Sequence, residues 1–363
     1  MKKILFVAAH RLNRSPSQRF RFEQFFNYLE QNGFQCELSY LLSEKDDGIF
    51  YSQGSYPEKF YILLKNFIKR LKDVVQASRY DIIFIQREAF FTRSIFFEKC
   101  FRKVAGRIIF DFDDAIWLHD ISDANKKLGW LKNPKKTSKI IQLADMVFAG
   151  NQFLADYALQ FNKNVVVIPT TIDTSYHKKT TSEKKDSRIC VGWTGSHTTI
   201  KHFEYALPFL KKLKEKYSEK IYFKVIGDED FVNDELEIKG IAWKADTEIQ
   251  EISEIDIGIM PLPNDDWAKG KCGLKGLQYM ALEIPTVLSP VGVNKEIVED
   301  GLNGFLASLT DEWVEKISRL INSKELREQI GKAGRKTVIE KYSFESQKEK
   351  YLNCFKELLN KKT

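Results

Sequence analysis

The chain has 363 residues, 43% hydrophobic and 29% charged, with a formal net charge of +7. That length accommodates two α/β domains, and the composition excludes disordered and collagen-like classes. The five cysteines, Cys36, Cys100, Cys190, Cys272 and Cys354, are scattered without C-x-x-C spacing, which argues against a zinc site or a disulfide framework and fits a reducing cytoplasm.

The opening run MKKILFVAAH is apolar only as far as Ala9, so it reads as a first buried strand rather than a signal peptide. Further strands are expected at 35–41, 82–86, 107–112, 146–149 and 165–168. Helices are expected at 17–31, 57–76, 90–105, 138–144 and 152–160. This alternation implies a parallel, doubly wound sheet. A polar run at 178–187 reads as a linker. The same grammar then restarts: strand 189–193, helix 199–216, strand 222–227, short helix 247–253, strand 255–260, helix 274–282 and strand 285–288. Helices at 312–323, 325–340 and 343–360 close the chain. The expected fold class is therefore α/β. Two Rossmann-like domains, 1–170 and 171–342, face each other across a cleft, where ligands usually bind. No run of about 18 apolar residues is present, so no transmembrane helix is expected. No G-x-G-x-x-G follows the first strand, where the sequence is Ala8-Ala9-His10-Arg11, and this disfavours a nicotinamide dehydrogenase.

Four constellations carry candidate chemistry. After strand 255–260 comes a loop with Trp267, Gly270, Lys271, Cys272, Gly273 and Leu274, which opens helix 274–282. A glycine- and lysine-bearing loop ahead of a helix is a phosphate-binding arrangement, because unpaired N–H groups and the positive helix end point at the anion. Lys271 adds a charge that suits a departing diphosphate. Trp267 reads either as a lid stacking on sugar or base, or as packing. Strand 189–193 similarly runs into Gly195 and Ser196, where backbone and hydroxyl can meet phosphate. The run Phe110-Asp111-Phe112-Asp113-Asp114 resembles an Asp-x-Asp metal motif, but it lies in the first half, away from the candidate phosphate-binding loops. Finally, Arg11, Arg14, Ser17, Arg19 and Arg21 surround the first turn.

Charge is uneven along the chain. Residues 1–170 carry 26 Lys+Arg against 18 Asp+Glu, and the remainder carries 31 against 32. A basic first half with four arginines in eleven residues points to an anionic acceptor or a bilayer surface, or else to a solvated basic face. Aromatics flanked by Lys/Arg at 60–70 and 90–103 suit either a monotopic membrane contact or packing on the sheet.

The stretch Gly-Leu-Lys…Gln-Tyr-Met-Ala at 273–281, with Pro-Thr-Val-Leu-Ser-Pro-Val-Gly at 285–292 and Glu-Ile-Val-Glu-Asp-Gly at 296–301, resembles the donor loop of the retaining GT-B glycosyltransferases of family 4, the glycogen-synthase-like type. The resemblance covers most of the chain, closely in the second half and loosely in the first. It implies a GT-B fold whose C-terminal helix, 343–363, crosses back to the first domain. It implies a sugar transferred with retention from a nucleotide donor to a cell-surface glycan or lipid-linked saccharide, with no metal or other cofactor and no nucleic-acid partner. The place of work would be the cytoplasm, at the inner face of the membrane. Gly195, Ser196 and Lys201 then fall beside the donor diphosphate, with Trp193 where relatives often place Arg. Gly270 and Gln278 occupy the positions of two Glu spaced eight apart, near the sugar and the ribose. Asp113 and Asp114 stand where a His-Asp pair is common, near the donor sugar. The alternatives are a non-catalytic nucleotide- or glycan-binding protein on this fold, or a related epimerase or phosphorylase.

Overall fold

The computed structural model describes residues 1–118, 133, 135–179 and 186–360. The run at 178–187, read as a linker, lies largely outside these residues. Two units are distinguished by their internal packing. Met1–Thr170 joins Gln347–Thr363 in the first, and Thr171–Ser346 forms the second.

The first unit is built on six parallel strands: β1 (Lys2–His10), β2 (Phe34–Leu42), β3 (Ile82–Gln86), β4 (Arg107–Phe112), β5 (Met146–Ala149) and β6 (Val165–Val167). Their order is β2-β1-β3-β4-β5-β6, and each neighbouring pair is parallel. Central strands such as β3 are buried along their whole length, as expected of a parallel sheet covered on both faces. The order reverses between β1 and β3, so their carboxyl ends form a switch point, where open α/β sheets bind ligands.

Its helices are α1 (Pro16–Arg19), α2 (Phe26–Gln31), α3 (Glu44–Tyr51), α4 (Tyr56–Gln76), α5 (Phe96–Val104), α6 (Lys135–Leu143) and α7 (Gln152–Leu159). The single helix expected at 17–31 is broken into α1, a 3₁₀ turn at Glu23–Phe25, and α2. The cause is local. The Gln18 amide both accepts from His10 N (2.9 Å) and donates to His10 O (2.8 Å), which pins the first turn to the end of β1. Arg21 and Phe22 then turn fully into the core. Helix α3 was not expected from the sequence, although its signature is present. Ser43 and Asp46 make a reciprocal capping box.

The second unit has five parallel strands: β7 (Ile189–Thr194), β8 (Ile221–Ile226), β11 (Ile257–Met260), β12 (Thr286–Leu288) and β13 (Phe305–Leu306). A small hairpin, β9 (Val232–Asn233) with β10 (Ile238–Lys239), lies beside them. The order is β13-β12-β11-β7-β8, and the switch point falls between β7 and β11. The helices are α8 (Ile200–Phe203), α9 (Leu207–Tyr217), α10 (Glu248–Ser253), α11 (Asp266–Lys269), α12 (Leu274–Ala281), α13 (Asn294–Ile297), α14 (Thr310–Asn322) and α15 (Lys324–Thr337). The core includes Trp193, Phe209, Leu210, Leu213, Ile257 and Trp313, with Phe209 stacked on Trp313 at 4.5 Å.

The last helix, α16 (Phe344–Asn360), returns to the first unit as expected. Tyr351, Leu352, Phe355 and Leu358 are buried. Tyr351 stacks on Phe25 at 4.0 Å, and Phe355 packs on Phe34, Phe84 and Phe148. Each such side chain contributes roughly 1.5–3 kcal/mol of burial.

Candidate active site

In the second unit, the two loops at the switch point carry most of the residues singled out in the sequence. The first leaves β7 at Thr194. Gly195 donates its N–H to Ile226 O (2.8 Å), and Ser196 follows, exposed, inside a hydroxyl network with Thr198 (3.1 Å) and Thr199 (3.2 Å). A Cβ on Gly195 would stand 2.1 Å from the Trp193 ring, so glycine here serves close packing as well as ligand approach. Trp193 itself, which replaces the expected basic residue, is fully buried in the core.

The second loop leaves β11 and contains α11. Its closing residue, Gly273, adopts φ 70° and is the N-cap of α12 with no side-chain cap. A Cβ there would meet Ile297 at 2.3 Å. Only glycine fits both the backbone and the space, and the start of α12 keeps its positive end uncapped by side chains. Trp267 is half-buried on α11, and Lys271 Nζ lies 4.8 Å from its ring centroid. Gly270 is buried at an ordinary right-handed backbone angle, φ −72°. Cys272 is buried with its Sγ 3.8 Å from Gly270 O, as packing. Leu274 opens α12.

Two residues not singled out complete this region. Lys275, in the first turn of α12, places Nζ 4.7 Å from the Trp193 centroid. His202, on α8, is buried with no hydrogen-bond partner for Nδ1. Its pKa is pushed down to about 4, first by burial and then by the fields of Lys275, Lys271 and Lys201, with Asp265 opposing. The imidazole is therefore neutral at pH 7. The charges of three lysines, from α8, the second loop and α12, thus act on one buried ring. Lys275 was legible as part of the Gly-Leu-Lys run. His202 gave no sequence signal.

Gln278 departs from expectation. It is buried on α12, and its amide donates to Glu248 Oε1 (3.1 Å), which also accepts from Trp243 Nε1 (3.0 Å). Read from the sequence as an amide at a loop–helix junction near the ribose, it makes a buried bond inside the unit. The same contact explains why glutamate is absent here: Gln278→Glu would set two buried carboxylates against each other. Gln278→Ala should cost about 1–3 kcal/mol by removing a donor from buried Glu248, and Gln278→Glu should cost more at pH 7 than at pH 4. Urea denaturation of the two variants measures both.

In the first unit the Asp run divides its work. Asp111 is buried and ion-paired with Arg21, which also donates to Ile168 O. Arg21 is therefore core, and its reading as an acceptor contact is corrected. Asp113 and Asp114 both pair with Arg87, at 2.7 Å for Asp113. Arg87 follows β3 with a left-handed backbone, φ 61°, a conformation that costs a non-glycine residue about 1 kcal/mol or more. The two carboxylates hold the guanidinium charge all the more firmly.

Beside them, His10 Nε2 lies 3.0 Å from Tyr51 Oη. Burial pushes its pKa down to about 4, against Asp47 and with Arg14, Arg87 and Arg11. Arg11 reaches Asp47 (3.1 Å) and Glu44 (3.4 Å), and Arg14 also pairs with Asp47. Ser17 bonds Ser15 (3.0 Å), and the Arg19 guanidinium lies 5.0 Å from the Phe20 ring. Of the arginines expected to present spare positive charge, Arg11 and Arg14 are already paired with Asp47, and Arg21 is buried against Asp111. Arg87 was missed, although a charged residue just past the end of the buried strand β3, beside the switch point, marks it.

Residues 188–323 match the family model described as Glycosyl transferases group 1. The matched segment lies inside the second unit. An uncharacterized glycosyltransferase of Methanocaldococcus jannaschii is 25% identical over 183 residues, 47% of this chain and 46% of that protein. A poly(ribitol-phosphate) alpha-N-acetylglucosaminyltransferase of Staphylococcus aureus is 34% identical over 86 residues, 23% of this chain and 17% of that one. The chain therefore aligns with less than half the length of these curated relatives. The crystal structure of Anabaena HepE in complex with UDP-glucose superposes with a TM-score of 0.69 at 13% identity, covering 98% of this chain and 100% of that one. That likeness speaks for the fold, which is GT-B. The lysine-bearing loops after β7 and β11 both fall within the matched residues.

Proposed function

We propose that this chain transfers a glycosyl unit from a nucleoside-diphosphate sugar to a saccharide or lipid-linked saccharide acceptor, retaining the anomeric configuration and requiring no divalent metal. The observation that carries this reading is the placement of Lys271 and Lys275 at the uncapped start of α12, within the segment that matches the family model. A diphosphate gains negative charge as the glycosyl bond breaks. Fixed ammonium groups and helix N–H donors meet that charge without solvent reorganisation. His202 stays neutral and so can offer one ring nitrogen as donor. The leaving phosphate then serves as the base that takes the acceptor proton. The first unit would hold the acceptor at the ends of β1, β3 and β4, with the Arg87-bound carboxylates orienting sugar hydroxyls.

Metal independence is supported by the pairing of Asp113 and Asp114 with Arg87, which engages both carboxylates with one guanidinium. His197, Asp228 and Asp230 do place three potential ligand atoms within 4.8 Å of one another beside Ser196, so the question is open to direct test. We place the work in the cytoplasm, at the inner face of a membrane. All five cysteines are free, and among the described residues no helix is long and apolar enough to cross a bilayer.

Incubation of a labelled nucleotide-sugar panel with oligosaccharide and lipid-linked acceptors should give a product with the donor's anomeric configuration, at the same rate with and without EDTA. Inversion, or activity abolished by chelation and restored by Mg²⁺ or Mn²⁺, would overturn those parts of the reading. Donor binding without any turnover would leave a non-catalytic binding protein.

A further inference from the structure

Helix α4 is packed inside out. The side chains it turns inward are mostly polar: Lys59, Asn66 and Arg70 are buried together with Ile62. Arg70 is fixed by Ala89 O (2.9 Å), Ala8 O (3.3 Å), Ser39 Oγ (3.1 Å) and Asp73 (2.7 Å). Lys59 donates to Ser52 O (2.6 Å), and Asn66 buries its whole amide without a partner. The outward side is apolar. Phe60, Tyr61, Leu64, Phe67, Ile68, Leu71 and Val75 are 37–79% exposed.

Positions 60, 64, 67, 71 and 75 follow helical spacing, so they form one continuous stripe. At 1.5 Å per residue, that stripe runs about 22 Å along the 21-residue helix. Phe96 of α5, itself 45% exposed, extends it by stacking on Phe67 at 6.2 Å. A helix needing only to cover the sheet would turn this face inward. The Arg70 contacts hold it in the opposite rotation.

The rim of this face is cationic. Lys72 on α4, and Arg93, Lys99 and Lys103 on or beside α5, are exposed, as is Lys65, which pairs with Asp46, whereas Glu58 is the exposed acidic side chain of these two segments. We propose that α4 and the start of α5 dock the first unit on an anionic bilayer surface. The helix would lie in the membrane plane with the stripe among the acyl boundary and the lysines and arginines among lipid phosphates. Aromatic and aliphatic anchors flanked by basic residues have the chemistry of an interfacial helix. A second copy of the chain is the poorer occupant, because a two-fold axis would set the same cationic rim against itself. The proposal stands on the first unit alone and does not require sugar transfer.

Co-sedimentation of the full chain with phosphatidylcholine vesicles, with and without phosphatidylglycerol, tests it without turnover. Binding should require phosphatidylglycerol and weaken with salt. The Phe60→Ser/Leu64→Ser/Ile68→Ser variant should keep its fold, since all three sites are exposed, and should bind at least about tenfold less. Lys99→Glu/Lys103→Glu, which leaves the stripe intact, should also lose binding to phosphatidylglycerol vesicles. Failure of the folded chain to bind, or undiminished binding by the variants, would overturn the proposal. So would a dimer in sedimentation equilibrium that the stripe variant converts to monomer, since it would assign the face to a second copy.

Discussion

Arg21→Met should destabilise the first unit by about 3–5 kcal/mol, the loss expected when one partner of a buried ion pair is removed. Arg21 and Asp111 are both essentially inaccessible to water. Without the guanidinium, the carboxylate stays buried and uncompensated, and Ile168 O loses its donor as well. The double variant Arg21→Met/Asp111→Leu should regain much of the loss, because a matched apolar pair removes the stranded charge. Arg19→Gln, two residues away and only half-buried, should cost under about 1 kcal/mol, as surface-type substitutions do. Denaturant midpoints for the three variants separate these outcomes. Equal, small effects of Arg19 and Arg21 would mean that Arg21 is not the core residue described.

Lys271→Ala and Lys275→Ala should each lower kcat/KM about tenfold or more, and together about a hundredfold or more. Charge-assisted contacts to phosphate contribute roughly 1.5–3 kcal/mol each, and about 1.4 kcal/mol is a factor of ten. Both side chains are half-exposed, and the ring contacts they give up, on Trp267 and Trp193, are worth about 1 kcal/mol. The fold should therefore survive while turnover does not. Steady-state kinetics on the folded variants checks this, and wild-type values in both would remove the lysines from the site.

Strand positions were legible in the sequence because parallel strands are continuous apolar runs bounded by turn residues. The grammar of two sheets followed from them, as did the return of α16, whose apolar positions Tyr351, Leu352, Phe355 and Leu358 required a partner. Positions governed by a single tertiary contact were not legible. Nothing near Arg21 in sequence reveals that Asp111 waits for it, ninety residues on. Gln278 looked like a ligand contact because its burial depends on Glu248, thirty residues earlier. The rotation of α4 was equally hidden. Its composition shows amphipathic character, but the direction of the apolar face is set by Arg70 meeting carbonyls of separate segments. The loops after β7 and β11 stood out for a different reason: Gly273 and the lysines around it follow a local pattern that needs no distant partner to be recognised.

The central claim is that the loops after β7 and β11 bind the diphosphate of a nucleotide sugar. Ligand-induced stabilisation of the wild-type chain and of Lys271→Ala/Lys275→Ala, across a panel of nucleoside-diphosphate sugars, measures it most directly. At a hundredfold excess over its dissociation constant, the correct donor should stabilise the wild type by about 2.7 kcal/mol, and the double variant by far less at the same concentration. No stabilisation by any donor in the panel, or equal stabilisation of both proteins, would contradict it.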